Sequence, residues 1–355
     1  MQKQSTDILI IGAGLTGLTL AYYLKQLNVS VTIVEARSRL GGRVYTKENT
    51  NQAPIELGAT WLVNEHSELL GLLKTLNLEV FEQFYGTTAI YEPSKAHPPQ
   101  LVNSPNNNQT SYRIKNGTQT IINALSTQLE ENQIITDCAI SSIKRYHDFI
   151  SATSEAYEFK CKHIISTLPP YLFDKTITIE PELPREIKEI MQNTHTWMQD
   201  SIKVGFTFEA PFWKGERTSG TIYSTVSVLQ EFYDHSSSDN TSHALVGFMN
   251  KEFHSHTKEE RQELALEQLE QYYGNQVRRF LSYEELDWRN ERFTTASHDG
   301  FLMSQQNNGH PLFQNSFLNN SLFVAGTETS PYASGKMEGA IRSARHIFKH
   351  IESLL

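Results

Sequence analysis

The chain opens with an apolar run over residues 7–11. After a turn broken by glycine, apolar positions recur at helical spacing over 15–27, and a second apolar run follows over 30–35. Strand, helix and strand within roughly thirty residues predict a βαβ unit. Leucines crowd one face of residues 67–76, which predicts a helix there. From 87 to 112 the pattern dissolves into Pro, Asn, Ser and Gln, with Pro98-Pro99 and Asn106-Asn107-Asn108, which predicts a loop or a loose hairpin. A helical stretch over 118–130 and strands over 139–146, 154–160 and 163–167 come next, closed by Pro169-Pro170.

Residues 184–191 read as a helix. The alternation of Ile202, Val204 and Phe206 against Lys203 and Gly205 predicts a strand over 201–208 with the lysine on the face opposite the apolar residues. Strands over 220–228 and 243–249 are separated by a polar stretch from Asp234 to Ser242. Thr257-Lys-Glu-Glu260 is a capping box that opens a helix running to Tyr273 and ended by Gly274. A last helix spans 336–353. No internal repeat appears.

Composition narrows the class. With 355 residues, two folded units and a large core are expected. A net charge of -9 without any basic run argues against nucleic acid or an anionic membrane surface as partner. Two cysteines, Cys138 and Cys161, with no CxxC spacing, suit a reducing compartment, so a cytoplasmic location is expected. The apolar start lacks the basic flank and cleavage site of a signal peptide, and no apolar stretch has the ~20 residues that span a bilayer. Monomer and homodimer both stay open.

The turn between the first strand and helix is Gly12-Ala-Gly-Leu-Thr-Gly17, a dinucleotide fingerprint in the strand–turn–helix context it requires. Glu35 closes the next strand, where a carboxylate meets ribose hydroxyls. The fingerprint leaves nicotinamide and flavin cofactors both open. Just beyond, Arg37-Ser-Arg-Leu-Gly-Gly-Arg43 adds Gly41 and Gly42, which let backbone approach a pyrophosphate, and Arg43, which suits its charge. The stretch Val324-Ala-Gly-Thr-Glu-Thr-Ser-Pro-Tyr-Ala-Ser-Gly-Lys-Met-Glu-Gly339 is a second strand–turn–helix passage of the phosphate-cradling type.

Taken in order, Gly12–Gly17, Glu35–Arg43, Glu56-Leu-Gly-Ala-Thr-Trp61, Arg113-Ile-Lys-Asn-Gly-Thr-Gln119, Ile164-Ile-Ser-Thr-Leu-Pro-Pro170 and the passage 324–339 resemble the motif series of the flavin-containing amine oxidases. The resemblance implies an α/β fold: a Rossmann-like FAD-binding domain of the three-layer ββα type, with an interleaved α+β substrate domain on a mixed or antiparallel sheet. On that basis residues 1–75, 112–170 and 285–355 form the FAD-binding domain, and 76–111 with 171–284 the substrate-binding domain. One extended FAD accounts for both glycine turns. Its ADP half falls to Gly12, Gly14, Leu15, Thr16, Gly17, Glu35, Ala36, Arg37, Gly41, Gly42 and Arg43, with Ile140 at the adenine. Its flavin half falls to Gly58, Ala59, Thr60 and Trp61 and to Gly326, Thr327, Glu328, Gly335, Lys336 and Met337. The C-terminal helix aims its positive end at the pyrimidine edge of the flavin.

The same resemblance gives Lys203 the place of the family's catalytic lysine, which holds a water near flavin N5. It also exposes departures. Where some relatives carry a cysteine bonded to the flavin, this chain has Ser297, so noncovalent FAD is expected. His298 and Lys336 stand where monoamine oxidases have two tyrosines around the substrate amine, so a small aromatic monoamine is not expected. The pair could instead receive a carboxylate, as in an amino acid. The segment before Tyr112 is short, which implies an open cavity. The expected activity is hydride removal from a C–H next to nitrogen onto FAD, with O2 as acceptor and hydrogen peroxide as product. Two rivals remain at this stage: a flavin dehydrogenase, desaturase or isomerase on a non-amine substrate, and an FAD-binding protein impaired in catalysis.

Overall fold

The structure, a computed structural model, describes residues 1–104, 109–215, 219–296, 300 and 302–355. A six-stranded sheet forms its first half, in the order Ile134–Ile135, Val31–Val34, Ile8–Ile11, His163–Ser166, Leu322–Val324, Ser316–Phe317. All pairings are parallel except the last. The strand Ile8–Ile11 sits inside this sheet with all four residues buried, which is why it reads as an unbroken apolar run.

Helices Leu15–Leu24, Ser67–Thr75, Gln119–Ser126 and Met337–Leu354 cover one face, and their apolar stripes share one core with Ile8, Ile10 and Phe323. A five-stranded sheet, Gln2–Ser5, Tyr157–Cys161, Ile150–Ser154, Ile140–Arg145, Thr178–Glu180, covers the other. Leu9, Ile11, Phe159 and Val324 lie in the core between the two sheets. Sheet, sheet and helix make the three layers expected.

The largest sheet has seven strands, in the order Phe280–Asp287, Ile202–Phe208, His243–Met249, Leu229–Asp234, Ile222–Ser224, Thr88–Glu92, Gln100–Asn103, and two small sheets, Leu62–Val63, Ser111–Ile114, Val80–Glu82 and Thr46–Lys47, Ile55–Glu56, complete the set among the described residues. It is antiparallel apart from Ile222–Ser224 beside Thr88–Glu92. Helix Lys258–Tyr273 supplies Ala265, Leu266 and Leu269 to the core on one face of it, together with Val204 and Phe206. Lys203 points to the other face, opposite Phe248 and Leu286.

The polar stretch after residue 87 carries a paired hairpin at the sheet edge, one of the two forms expected of it. Two local expectations change. The strand expected over 154–160 straddles a tight turn between Ile150–Ser154 and Tyr157–Cys161. Within 220–234 two strands replace one, since an irregularity between Leu229 and Glu231 and a buried Asp234 break the alternation that would mark Leu229–Asp234 as a strand.

Candidate functional site

Between the helix layer and the seven-stranded sheet lies one elongated cavity of about 730 Å³. Its first end is built by the turn Gly12–Leu15. Gly12 has φ +108, and a Cβ there would lie 2.5 Å from Thr167 Oγ1, so only glycine lets the chain turn between two parallel strands. Gly17 serves packing: a Cβ would fall 2.0 Å from the Gly12 carbonyl oxygen. Glu35, 5% exposed, faces this end of the cavity. Its carboxylate accepts hydrogen bonds from the amides of Ala13 (2.8 Å) and Arg37 (3.0 Å), which fix the turn against the strand end.

The C-terminal passage forms the opposite wall. Arg43 donates to both carboxylate oxygens of the fully buried Glu328 (2.5 and 2.8 Å) and to the Trp197 carbonyl (3.3 Å). Glu338, also fully buried, accepts from the amides of Leu69 (2.8 Å) and Glu68 (3.3 Å). It thereby caps helix Ser67–Thr75, whose own N-cap residue His66 makes no side-chain cap bond. The start of helix Met337–Leu354 is thus locked to a neighbouring helix as it lines the cavity with Lys336, Met337 and Ala340.

At the far end Lys203, 1% exposed, donates to the Gly58 carbonyl at 2.5 Å and to the Thr60 hydroxyl, with its ammonium over the rings of Trp61 (5.1 Å) and Phe248 (5.4 Å). Burial lowers its pKa to about 7, opposed by the carboxylate of Glu56. Trp61 is held in turn, its Nε1 donating to Gln83 Oε1 at 2.9 Å. Among the described lining residues Glu35 is the single carboxylate, while Arg37, Arg43, Lys203, Arg292 and Lys336 are cations.

The family model for flavin containing amine oxidoreductase matches residues 15–92 and 79–347. This chain belongs to the flavin-containing amine oxidoreductases. Among curated relatives it is 23% identical to putrescine oxidase from Kocuria rosea, over 82% of this chain and 84% of that one. It is 22% identical to flavin-containing amine oxidase A from Sus scrofa, over 98% and 85%. Among solved structures, putrescine oxidase bound to putrescine superposes with a TM-score of 0.85 at 20% identity, covering 99% of this chain and 100% of that one. Cyclohexylamine oxidase from Brevibacterium oxydans IH-35A gives 0.84 at 18% identity, covering 98% and 100%. These superpositions show a shared fold.

The protein is accordingly an FAD-dependent oxidoreductase of the amine oxidase type, and the non-amine rival is not favoured. The cavity suits the cofactor: an elongated volume between two glycine turns, with a carboxylate at the first turn and backbone open to the cavity at Gly14, Gly41 and Gly42.

Of the residues expected at the site, Gly12, Gly14, Leu15, Thr16, Glu35, Ala36, Arg37, Gly41, Gly42 and Arg43 line the cavity. So do Gly58, Ala59, Thr60, Trp61, Ile140, Lys203, Gly326, Thr327, Gly335, Lys336 and Met337. Gly17 and Glu328 do not line it. The first packs behind the turn, and the second lies beneath Arg43. The Arg37 guanidinium is committed to Glu291 and Thr294, so it braces the wall. His298 and Ser297 lie outside the described residues.

Sequence reasoning missed Phe248, Trp197, Met198, Cys138 and the segment Leu168–Pro169, all of which line the cavity. Phe248 was reachable: it stands opposite Lys203 on the adjacent strand, a neighbour that follows once the register is known. Trp197 had no such signal, since it belongs to the irregular connection before the strand Ile202–Phe208.

Proposed function

We propose that this protein oxidises a small amine at the Lys203 end of the cavity, with FAD held noncovalently across both glycine turns and dioxygen as the final acceptor. Bound there, FAD supplies the two-electron acceptor for the hydride leaving a C–H bond next to nitrogen, and passing the electrons on to O2 gives hydrogen peroxide. The cofactor roles given above to individual lining residues, and the division into an FAD-binding domain (1–75, 112–170, 285–355) and a substrate-binding domain (76–111, 171–284), belong to this proposal. So do a small-molecule partner, the exclusion of nucleic acid and membrane as partners, and a cytoplasmic setting. No helix among the described residues is long and apolar enough to cross a membrane.

The observation that carries the reading is Lys203: a lysine 1% exposed, facing the cavity between two aromatic rings and anchored on Gly58 and Thr60. A strand lysine is ordinarily solvated. Here it orients a water toward the reacting carbon, and in its charged form it attracts the negative charge that builds up as the cofactor receives electrons. Trp61 and Phe248 shield that end of the cavity from solvent.

Charge shapes the substrate. Lys336 beside the cavity repels an ammonium ion, and Glu35, the one described lining carboxylate, is engaged by two backbone amides. A neutral amine, or an amine that carries its own carboxylate, therefore fits better than a polycation. Relatives named for putrescine and for cyclohexylamine define the panel that tests this. Purified protein loaded with FAD is mixed anaerobically with putrescine, cyclohexylamine and a series of amino acids, and flavin bleaching is followed by stopped flow. Bleaching by an amine with peroxide release on admitting air is the expected result. Protein that stays colourless after incubation with FAD overturns the proposal.

A further inference from the structure

Behind Lys203 lies a carboxylate that the cavity never touches. Glu56, 2% exposed, accepts hydrogen bonds from the Thr118 amide (2.5 Å) and the Thr46 hydroxyl (2.8 Å). It stands two residues before Gly58, the carbonyl that receives Lys203. The short strand Ile55–Glu56 presses onto the lysine strand where Gly205 has no side chain: a Cβ there would lie 2.6 Å from Ile55 Cγ2. A glycine two residues from Lys203 thus admits the segment that brings the acid close.

Glu56 is the one charge that acts to raise the pKa of Lys203. Other charged or titratable groups around the pair are Arg113, on the strand Ser111–Ile114, and His235, after Leu229–Asp234. Neither can replace the acid. Arg113 is a second cation, with its guanidinium donating to the Ser236 carbonyl at 2.6 Å. His235 is buried, its proton affinity is held well below the ordinary value by burial and by both cations, and its Nδ1 has no partner among the described residues. Burial raises the proton affinity of Glu56, while the Thr118 amide, the Lys203 ammonium and the Thr46 hydroxyl act in the opposite direction; both hydrogen bonds reach it from donors, an arrangement that suits an ionised carboxylate.

We propose that Glu56 is a positioning residue for Lys203: it keeps the buried ammonium charged and anchored to Gly58 and Thr60, and so acts on the reaction without touching cofactor or substrate. This deepens the reading of Lys203 given above and rests on it. Removing one of two opposite charges buried near each other leaves the other uncompensated, so the two residues should be thermodynamically coupled.

The test uses FAD-loaded enzyme reduced with dithionite and mixed with aerated buffer across a pH series. In the parent, reoxidation slows as pH rises through about 7, where Lys203 loses its proton. In Glu56→Gln that inflection moves to lower pH, and at neutral pH reoxidation slows by roughly threefold or more. Glu56→Asp falls between. Urea denaturation of the parent, Glu56→Gln, Lys203→Met and the double variant supplies a readout independent of turnover: the loss caused by Glu56→Gln should shrink by about tenfold in unfolding constant once Lys203 is methionine.

If Glu56→Gln alone does not fold, the double variant should fold, and failure of both overturns the proposal. An unchanged inflection with additive stabilities also overturns it, and confines Glu56 to bracing the Thr46–Thr118 turn. Lys203→Met reoxidising at the parental rate would instead sink the Lys203 reading, so the two failures are distinguishable.

Discussion

A lysine with a pKa of about 7 is a residue whose charge the protein has to maintain, and Lys203 shows the means: two neutral oxygens as acceptors, two aromatic faces and one acid behind. Lys203→Met should keep the protein yellow and slow flavin reduction or reoxidation about tenfold or more, the usual effect of losing a positioned group. Its reoxidation rate should also lose the inflection near pH 7. Stopped-flow traces of both half-reactions check this. At the other lysine the sign reverses: Lys336→Met removes a like charge from the cavity, and the KM for putrescine should fall about tenfold while reoxidation is unaffected.

Lys203 and Trp61 were legible because each sits in a motif along the chain. Glu56 is in the same motif as Trp61, yet its function depends on which strand lies against it. Phe248 depends on cross-strand register, and neither relation is written in local spacing.

Elements with a strong period were legible nearly to the residue. Helix Lys258–Tyr273 begins at Thr257, whose hydroxyl accepts from Glu260 N while the Glu260 carboxylate accepts from Thr257 N, as the capping box implies. Thr257→Ala should cost about 1 kcal/mol in urea unfolding and leave FAD affinity unchanged, because the helix lies on the far side of the sheet from the cavity. The first βαβ unit was equally plain, and Gly17 is its tightest point. Gly17→Val should abolish retention of FAD on gel filtration, since even one carbon meets the Gly12 carbonyl at 2.0 Å. Strands Leu229–Asp234 and Gln100–Asn103 were not legible: polar side chains on edge or half-solvated strands hide the period that would mark them.

In the whole molecule the cavity wall is contributed by residues as far apart as Ile11 and Ala340. Ligand bound there is linked to global stability: at a free concentration about a hundred times its Kd, FAD should stabilise the fold by ~2.7 kcal/mol. Thermal melts with and without added FAD measure this increment. Glu328→Ala, which frees Arg43 from its buried partner, should diminish it. The three-layer organisation was legible from the order of motifs. The irregular connection that carries Trp197 was not, because its place comes from packing against Gly335 and from the Arg43 hydrogen bond to its carbonyl, neither of which local spacing shows.

The strand His163–Ser166 stands between Ile8–Ile11 and Leu322–Val324, so the sheet joins segments from widely separated parts of the sequence, made one after another. A chain still attached to the ribosome has only one side of its cofactor cleft until the residues around 326–340 have left the exit tunnel. Flavin uptake then waits on that last turn, and a product that stops short of it has no means of becoming yellow.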